Sequence, residues 1–247
     1  MKHQISHYKL VGFVTGCVLA ATWLLCQPHS LAPPGLLALW LLACTVGEVF
    51  WLDAPGEGTI SMALVLDIAA LSVLDFRGGV QVIALSTLIA GIYPQRRAWY
   101  KVLFNAAQST LAAGAALGFV DLMSTRPELH HLPMTLWWPN LLLVGGTFFA
   151  VNTGLVACTI SLSTGLPLWR AWRDNFGYPF ELASTLAQVT LACFLQSAYE
   201  QFGPATLLFL LPLVSVLWYS STREARTRRA LAGQSKVSQD EQFRRSA

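Results

Sequence analysis

The sequence predicts an all-α fold, a polytopic transmembrane helical bundle, on two observations. Hydrophobic residues make up 54% of the 247 residues and charged residues only 12%, whereas a soluble domain carries about 25% charged residues. The apolar residues also come in long uninterrupted runs, as membrane-spanning helices require. The five cysteines lie in or beside these runs without metal-ligand or disulfide spacing. We therefore interpret them as small packing residues.

Eight apolar segments account for most of the chain. They are Leu10–Cys26, Pro34–Leu52, Thr59–Leu74, Gly78–Tyr93, Lys101–Met123, Trp137–Leu162, Pro179–Tyr199 and Gly203–Tyr219. A membrane span needs about 17–25 residues, and the third and fourth segments are slightly short and separated only by Asp75–Arg77. These two either form a tight helical hairpin or include one re-entrant segment. We expect about eight spans, with six or seven as the alternatives.

The distribution of Lys and Arg predicts the orientation of the bundle, because cytoplasmic loops are enriched in both. With eight spans and a cytoplasmic N-terminus, every one of the 16 basic residues except Arg77 and Arg126 falls on the cytoplasmic side. Both termini are therefore predicted to be cytoplasmic. The chain divides into a transmembrane helical bundle at residues 1–222 and a basic cytoplasmic tail at residues 223–247, which we expect to be partly disordered.

The fifth segment has the features of a central helix. It follows a cationic and aromatic collar, Arg96–Lys101, of the kind found at the cytoplasmic membrane interface. Asn105 and Gln108 then lie one turn apart, and amides in hydrocarbon need hydrogen-bond partners. Two small-xxx-small pairs favour close helix packing, within the chain or between chains: Gly12 with Gly16, and Gly114 with Gly118.

Polar side chains inside the predicted spans form the candidate functional set. They are Glu48, Asp67, Asn105, Gln108, Asn152, Glu181, Gln188 and Gln196. Such residues are costly in hydrocarbon and face the bundle interior or a wet cavity. Asp67 stands out because no basic residue lies inside an apolar run to pair with it, so we expect it to be protonated or hydrogen-bonded to Asn105, Gln108 or Asn152.

Three interpretations of this set stay open. It fixes helix packing, it lines a cavity for a small ligand, or it forms a proton or cation pathway through Asp67, Glu48 or Glu181. Enzymatic activity is not expected, because the spans contain no histidine and the chain has no H-E-x-x-H, G-x-S-x-G or Walker motif. No metal, cofactor or nucleic-acid partner is expected.

Two loops carry further signals. The segment Leu166–Phe180 places Trp169 and Trp172 with two arginines at helical spacing, which predicts a short amphipathic helix at the membrane interface. The loop Ser124–Thr135 contains adjacent histidines, and without a third ligand nearby it is best interpreted as an ordinary solvated loop.

Three stretches together resemble the multi-span N-terminal membrane module that precedes HD-GYP or GGDEF domains in bacteria. They are Gly58–Gly79, Arg96–Ala116 with its F-N-A-A-Q core, and Gly203–Ala230. In that family the last run leads into an output domain, whereas this sequence stops there, so the resemblance implies a sensing or scaffold module without cyclic-nucleotide chemistry. It also marks Asn105 and Gln108 as functional candidates.

We therefore expect a non-enzymatic protein of the bacterial inner membrane that acts as a sensor-like or accessory subunit of a membrane assembly. Its partners would be the lipid bilayer and a membrane protein or a second copy of the chain. The alternative is a small-solute binding or transport component with a ligand held by Asp67, Asn105, Gln108 and Asn152. A binder needs a wet cavity lined by these residues, whereas a scaffold needs its amides mutually satisfied.

Overall fold

The computed structural model describes residues 2–26, 32–49, 51–53, 59–74, 76–124, 137–177 and 179–208. The predicted helical class is confirmed for this part of the chain. Its helices are α1 (Lys2–Leu25), α2 (Pro34–Val49), α3 (Ala63–Val73), α4 (Phe76–Ile92), α5 (Trp99–Ser124), α6 (Trp137–Thr164), α7 (Leu168–Phe176) and α8 (Pro179–Phe202).

Three of the described helices are long and apolar enough to span a membrane. The spanning windows are Tyr8–Leu25, Trp99–Phe119 and Leu142–Thr164, in α1, α5 and α6. Helices α2, α3 and α4 are apolar but shorter. The structure is therefore compatible with a membrane protein, and the count of about eight spans stays a prediction.

A two-stranded antiparallel ribbon lies between α2 and α3. Its strands are β1 (Trp51–Asp53) and β2 (Thr59–Ser61), with Leu52 opposite Ile60. The second predicted segment was therefore too long at its end and the third too long at its start. Pro55 and Gly56 in the intervening sequence are helix breakers that favour a turn, and β-branched and aromatic residues flank them.

Helices α3 and α4 pack against each other at very short range. An added Cβ on Gly79 would lie 2.9 Å from Leu71 Cα, so only glycine allows the two backbones to approach this closely. The two helices thus form a closely packed pair, and whether one of them is re-entrant stays a prediction because both are shorter than the candidate spans.

Helix α5 is central, as predicted from its composition. It packs against α1, α4 and α6, while α8 packs against α3 and α6. The α2–α3–α8 side has its own core, in which the Trp40 ring lies 5.5 Å from the Tyr199 ring, centroid to centroid. Three predicted features lie wholly or largely outside the described residues: the histidine loop, the last apolar segment beyond residue 208, and the tail at residues 223–247.

Candidate functional site: two buried polar pairs

The start of α5 and the end of α6 lie at the same end of the bundle. Phe104 of α5 shares a core cluster with Leu155 of α6, whereas Ala113 packs with Val144. The two helices are therefore antiparallel. We call the end that carries Arg96–Lys101 the collar end.

Other elements reach the same end. Cys17 of α1 packs with Phe104, and Leu24 lies against Gly114, so α1 runs parallel to α5 and begins at the collar end. Helix α4 ends there, since an added Cβ on Gly91 would lie 3.0 Å from a Val102 methyl. The described segments that were predicted to be cytoplasmic thus gather at one end of the bundle.

Gln108 and Asn152 form a hydrogen-bonded pair between α5 and α6. The Gln108 Nε2 atom donates to Asn152 Oδ1 at 2.7 Å, and Gln108 is buried. Gln108 Oε1 is buried without a hydrogen-bond partner among the described residues. Asn105 lies one turn nearer the collar and is half-buried. We call Gln108 and Asn152 the amide pair.

Glu48 and Asp67 form a second group, between α2, α3 and α4. Asp67 is only 4% exposed, and its carboxyl group is hydrogen-bonded to the Cys44 thiol. The Thr87 hydroxyl of α4 donates to Glu48 Oε1 at 3.1 Å. The two carboxyl groups also interact electrostatically, so they belong to one polar group. We call Glu48 and Asp67 the carboxyl pair.

The connection from α4 to α5 ties the carboxyl pair to the collar. Gln95 Nε2 donates to the Glu48 carbonyl oxygen at 3.1 Å, and the Arg97 guanidinium acts electrostatically on the Glu48 carboxylate. The Arg97 amide donates to the Gly91 carbonyl at 3.0 Å, and Arg96 has a left-handed φ of 48°. This tight turn folds the collar back over the end of α2.

Two buried polar atoms near the carboxyl pair lack hydrogen-bond partners among the described residues. They are Asp67 Oδ1, an acceptor, and Trp40 Nε1, a donor. Trp40 is fully buried and lies one helical turn from Cys44 on the same side of α2. Native structures rarely leave such atoms unsatisfied, so this region of the bundle has unused hydrogen-bonding capacity.

The predicted polar set therefore does not form one site. Within the described residues, Asp67 makes no hydrogen bond to Asn105, Gln108 or Asn152, because Cys44 is its partner. In α8 the glutamines bond within their own helix, Gln188 to Ser184 at 3.0 Å and Gln196 to Glu200 at 3.1 Å. The side chain of Glu181 lies outside the described side chains.

Helix α7 is amphipathic, as predicted, and is anchored to α6. Trp172 Nε1 donates to Thr153 Oγ1 at 3.0 Å, next to the amide-pair residue Asn152. The Trp169 and Trp172 rings stack at 5.4 Å between centroids. Arg170 lies 3.6 Å from Asp174 on the exposed side. One side of α7 thus packs against the bundle, and the other side carries charged residues.

Only one of the four predicted packing glycines lies at a close helix contact. An added Cβ on Gly114 would collide with Leu24 of α1, whereas Gly118, Gly12 and Gly16 have no atom within 4 Å of that position. The close contacts that the sequence analysis missed are at Gly47, Gly79 and Gly145. Gly79 and Gly145 lie outside any small-xxx-small pair and gave no signal, whereas Gly47 forms such a pair with Ala43.

The partners of the carboxyl pair were not predicted from the sequence. They are Cys44, Thr87, Gln95 and Arg97. A signal was present, because Trp40, Cys44 and Glu48 recur every four residues and share one helix face. Among the described residues, no group of three or more His, Cys, Asp or Glu is arranged to hold a metal ion.

Within the described residues, the geometry defines a helical protein with three helices able to span a membrane and two separate buried polar pairs. Comparisons of the chain with models of protein families, with curated proteins and with solved structures give no match.

Proposed function

We propose that the protein is a non-enzymatic, multi-pass protein of the bacterial inner membrane that acts as an accessory or scaffold subunit of a membrane assembly. The sensor-like, signalling character implied by the resemblance to HD-GYP- and GGDEF-linked modules is part of this proposal. The observation that supports it is the amide pair, whose two members bond to each other across α5 and α6.

The amide pair distinguishes a scaffold from a solute binder by where its hydrogen bonds go. An amide that recognises a solute keeps its donor and acceptor directed at that solute, whereas an amide that fixes packing uses them on a neighbouring helix. Gln108 uses its donor on Asn152. This contact stabilises the association of α5 with α6 and leaves the outer helix faces for partners.

Helix α1 offers an open face for a partner, since its spanning window is the least buried of the three in the described residues, at 11%. Gly12 and Gly16 meet no neighbour, and Leu19 and Trp23 on the same side are 65% and 68% exposed. Small residues beside large apolar ones suit both lipid and a second transmembrane helix. The partner in this proposal is a membrane protein or a second copy of the chain.

The test is extraction of the full chain from its native membrane in mild detergent, with mass spectrometry of everything that co-purifies. We expect a stoichiometric protein partner or a second copy, and we expect Gly16→Leu to weaken that association. Gly118→Leu is the matched control, since Gly118 is equally open but lies on α5. A lone chain carrying a small molecule would overturn the scaffold proposal.

A second candidate function, small-solute binding or transport, is favoured by one observation. Gln108 Oε1 is a buried acceptor without a partner among the described residues, one turn from the half-buried Asn105. The variant Asn105→Leu separates the two candidates. Loss of solute binding with intact assembly supports the solute site, whereas weakened assembly or folding with no change in solute affinity supports the scaffold.

A further inference from the structure

The described surroundings of the carboxyl pair do not compensate the negative charge that two ionised carboxyl groups would carry. Asp67 lies in a core of apolar side chains that includes Met62, Leu66 and Ile68, and a lone carboxylate in such a place is strongly disfavoured. Its hydrogen-bond partner, the Cys44 thiol, is a weak donor. Glu48 adds a second negative charge beside it.

The charged and titratable groups around the pair can be named helix by helix. Helix α2 contributes Cys44 and Glu48, and the α4–α5 connection contributes Arg97, which acts on Glu48. Among its described side chains, helix α4 contributes the neutral Thr87 hydroxyl. From α8, Tyr199 packs on Trp40. Within the described residues, the cation that acts on the pair is Arg97, which acts on Glu48 and leaves Asp67 uncompensated.

We infer that Asp67 and Glu48 form a proton-binding site, in which Asp67 holds one proton and Glu48 passes it to and from water at the collar end. The geometry sets the direction of the path. Glu48 lies at the end of α2 beneath Gln95 and Arg97, and Asp67 lies deeper, at the level of Cys44. This inference does not rest on the scaffold proposal, because it involves other helices.

The proton transfer is balanced without any further reactant. A hydronium ion at the collar end protonates the Glu48 carboxylate and leaves a water molecule. A second water between the two carboxyl groups then accepts the Glu48 proton and gives one of its own to Asp67 Oδ1, which has no protein partner among the described residues. Glu48 is left without the proton, as a carboxylate that the Arg97 guanidinium partly compensates. Asp67 becomes neutral when Oδ1, the oxygen that has no partner among the described residues, carries the proton.

A proton fits this site better than a metal ion. Sodium and the divalent cations prefer several oxygen ligands, whereas the partner of Asp67 is a thiol and one Glu48 oxygen is already used by Thr87. The described residues also lack a three-ligand group for a metal.

The test is infrared difference spectroscopy on the full chain in lipid nanodiscs, in which the spectrum in deuterium oxide is subtracted from the spectrum in water. The band to follow is the C=O stretch of a protonated carboxyl group. We expect one such band at neutral pH, and we expect Asp67→Asn to remove it. Glu48→Gln should keep the band but slow its deuterium exchange by about 100-fold, as loss of a positioned proton-transfer group does. Glu200→Gln, an exposed glutamate of α8, should change neither property.

Three results would overturn the inference. They are the absence of the band from the unmodified protein, its persistence in Asp67→Asn, and its removal by sodium ions at fixed pH, which would make the occupant a metal cation. Should Asp67→Asn not fold, the unmodified protein still gives an answer. A hydrophobic carbodiimide reacts with a buried carboxyl O–H, and peptide mass spectrometry should place the adduct on Asp67; an unmodified Asp67 would contradict the proposal.

Discussion

The amide pair and the carboxyl pair are both buried between helices, yet the cost of burying their polar groups is offset in different ways. The amide pair is neutral, and Gln108 Nε2 on α5 donates to Asn152 Oδ1 on α6 at 2.7 Å, although Gln108 Oε1 has no partner among the described residues. The carboxyl pair brings together two groups of like charge, whose partners are a thiol, a hydroxyl and a distant guanidinium. A neutral pair can serve packing alone, whereas a like-charge pair requires a proton or a cation.

The packing around the two pairs differs in the same direction. Between α2, α3 and α4, the helices that carry the carboxyl pair and Thr87, glycines bring helices within contact of backbone atoms, as at Gly47 against Ala63 and Gly79 against Leu71. On α5, Gly114 meets only the end of a leucine side chain, and Gly118 meets nothing. The carboxyl side should therefore tolerate less change in volume.

The largest effect is expected from Gly79→Ala. The new methyl group would lie 2.9 Å from Leu71 Cα, and overpacking of this kind costs about 1–3 kcal/mol, partly offset by the higher helix propensity of alanine. We expect a lower unfolding temperature in detergent micelles. Gly118→Ala is the control and should leave the unfolding temperature unchanged or raise it. If the two variants change the unfolding temperature equally, the two sides do not differ in how tightly their helices pack.

An intermediate effect is expected at the amide pair. Gln108→Leu leaves the Asn152 acceptor unpaired, and the reverse holds for Asn152→Leu. A double-mutant cycle on the free energy of unfolding should give a coupling of about 0.6 kcal/mol and no more than about 1.7, as for other hydrogen bonds between membrane helices. A coupling of zero would show that the pair contributes nothing to packing and would favour the solute-binding function.

The smallest effect is expected at α7. Trp172→Phe removes the part-buried hydrogen bond to Thr153, at a cost of about 0.5 kcal/mol, and should speed tryptic cleavage after Arg170 and Arg173 as α7 detaches. Trp169→Phe is the control, because Trp169 is 66% exposed and its indole N–H makes no such bond. If both variants are cleaved at the rate of the unmodified protein, the bond to Thr153 does not anchor α7.

Much of the fold was predictable from local patterns. Continuous apolar runs located α1, α4, α5, α6 and α8 to within a few residues except at the start of α1, and the spacing of Trp169 and Trp172 predicted α7. The ribbon was not foreseen, because Trp51–Asp53 and Thr59–Ser61 are apolar enough to extend the neighbouring helices, and strand pairing depends on contact between two segments. The same limit applies to the glycines, since Gly79 has no paired small residue to mark it.

The candidate site was predicted as a list of residues but not as an arrangement. That Asp67, Glu48, Gln108 and Asn152 need polar partners follows from composition alone, because a polar group in an apolar run is costly wherever it lies. The hydrogen-bond partner of each residue depends on which helix faces are in contact. Cys44 bonds to Asp67 only because α2 packs on α3. Gln108 bonds to Asn152 only because α5 and α6 run antiparallel in one register.

The sequence by itself thus determined the helical class, most helix positions, the amphipathic α7 and the identity of the costly polar residues. These depend on hydrophobic periodicity and on the free energy of burial, which are properties of a segment. Only the tertiary structure decided that the polar residues form two separate pairs, that the collar folds over Glu48, and that Gly79 rather than Gly118 lies at a tight contact. These depend on distances between residues far apart in the chain, which no local pattern encodes.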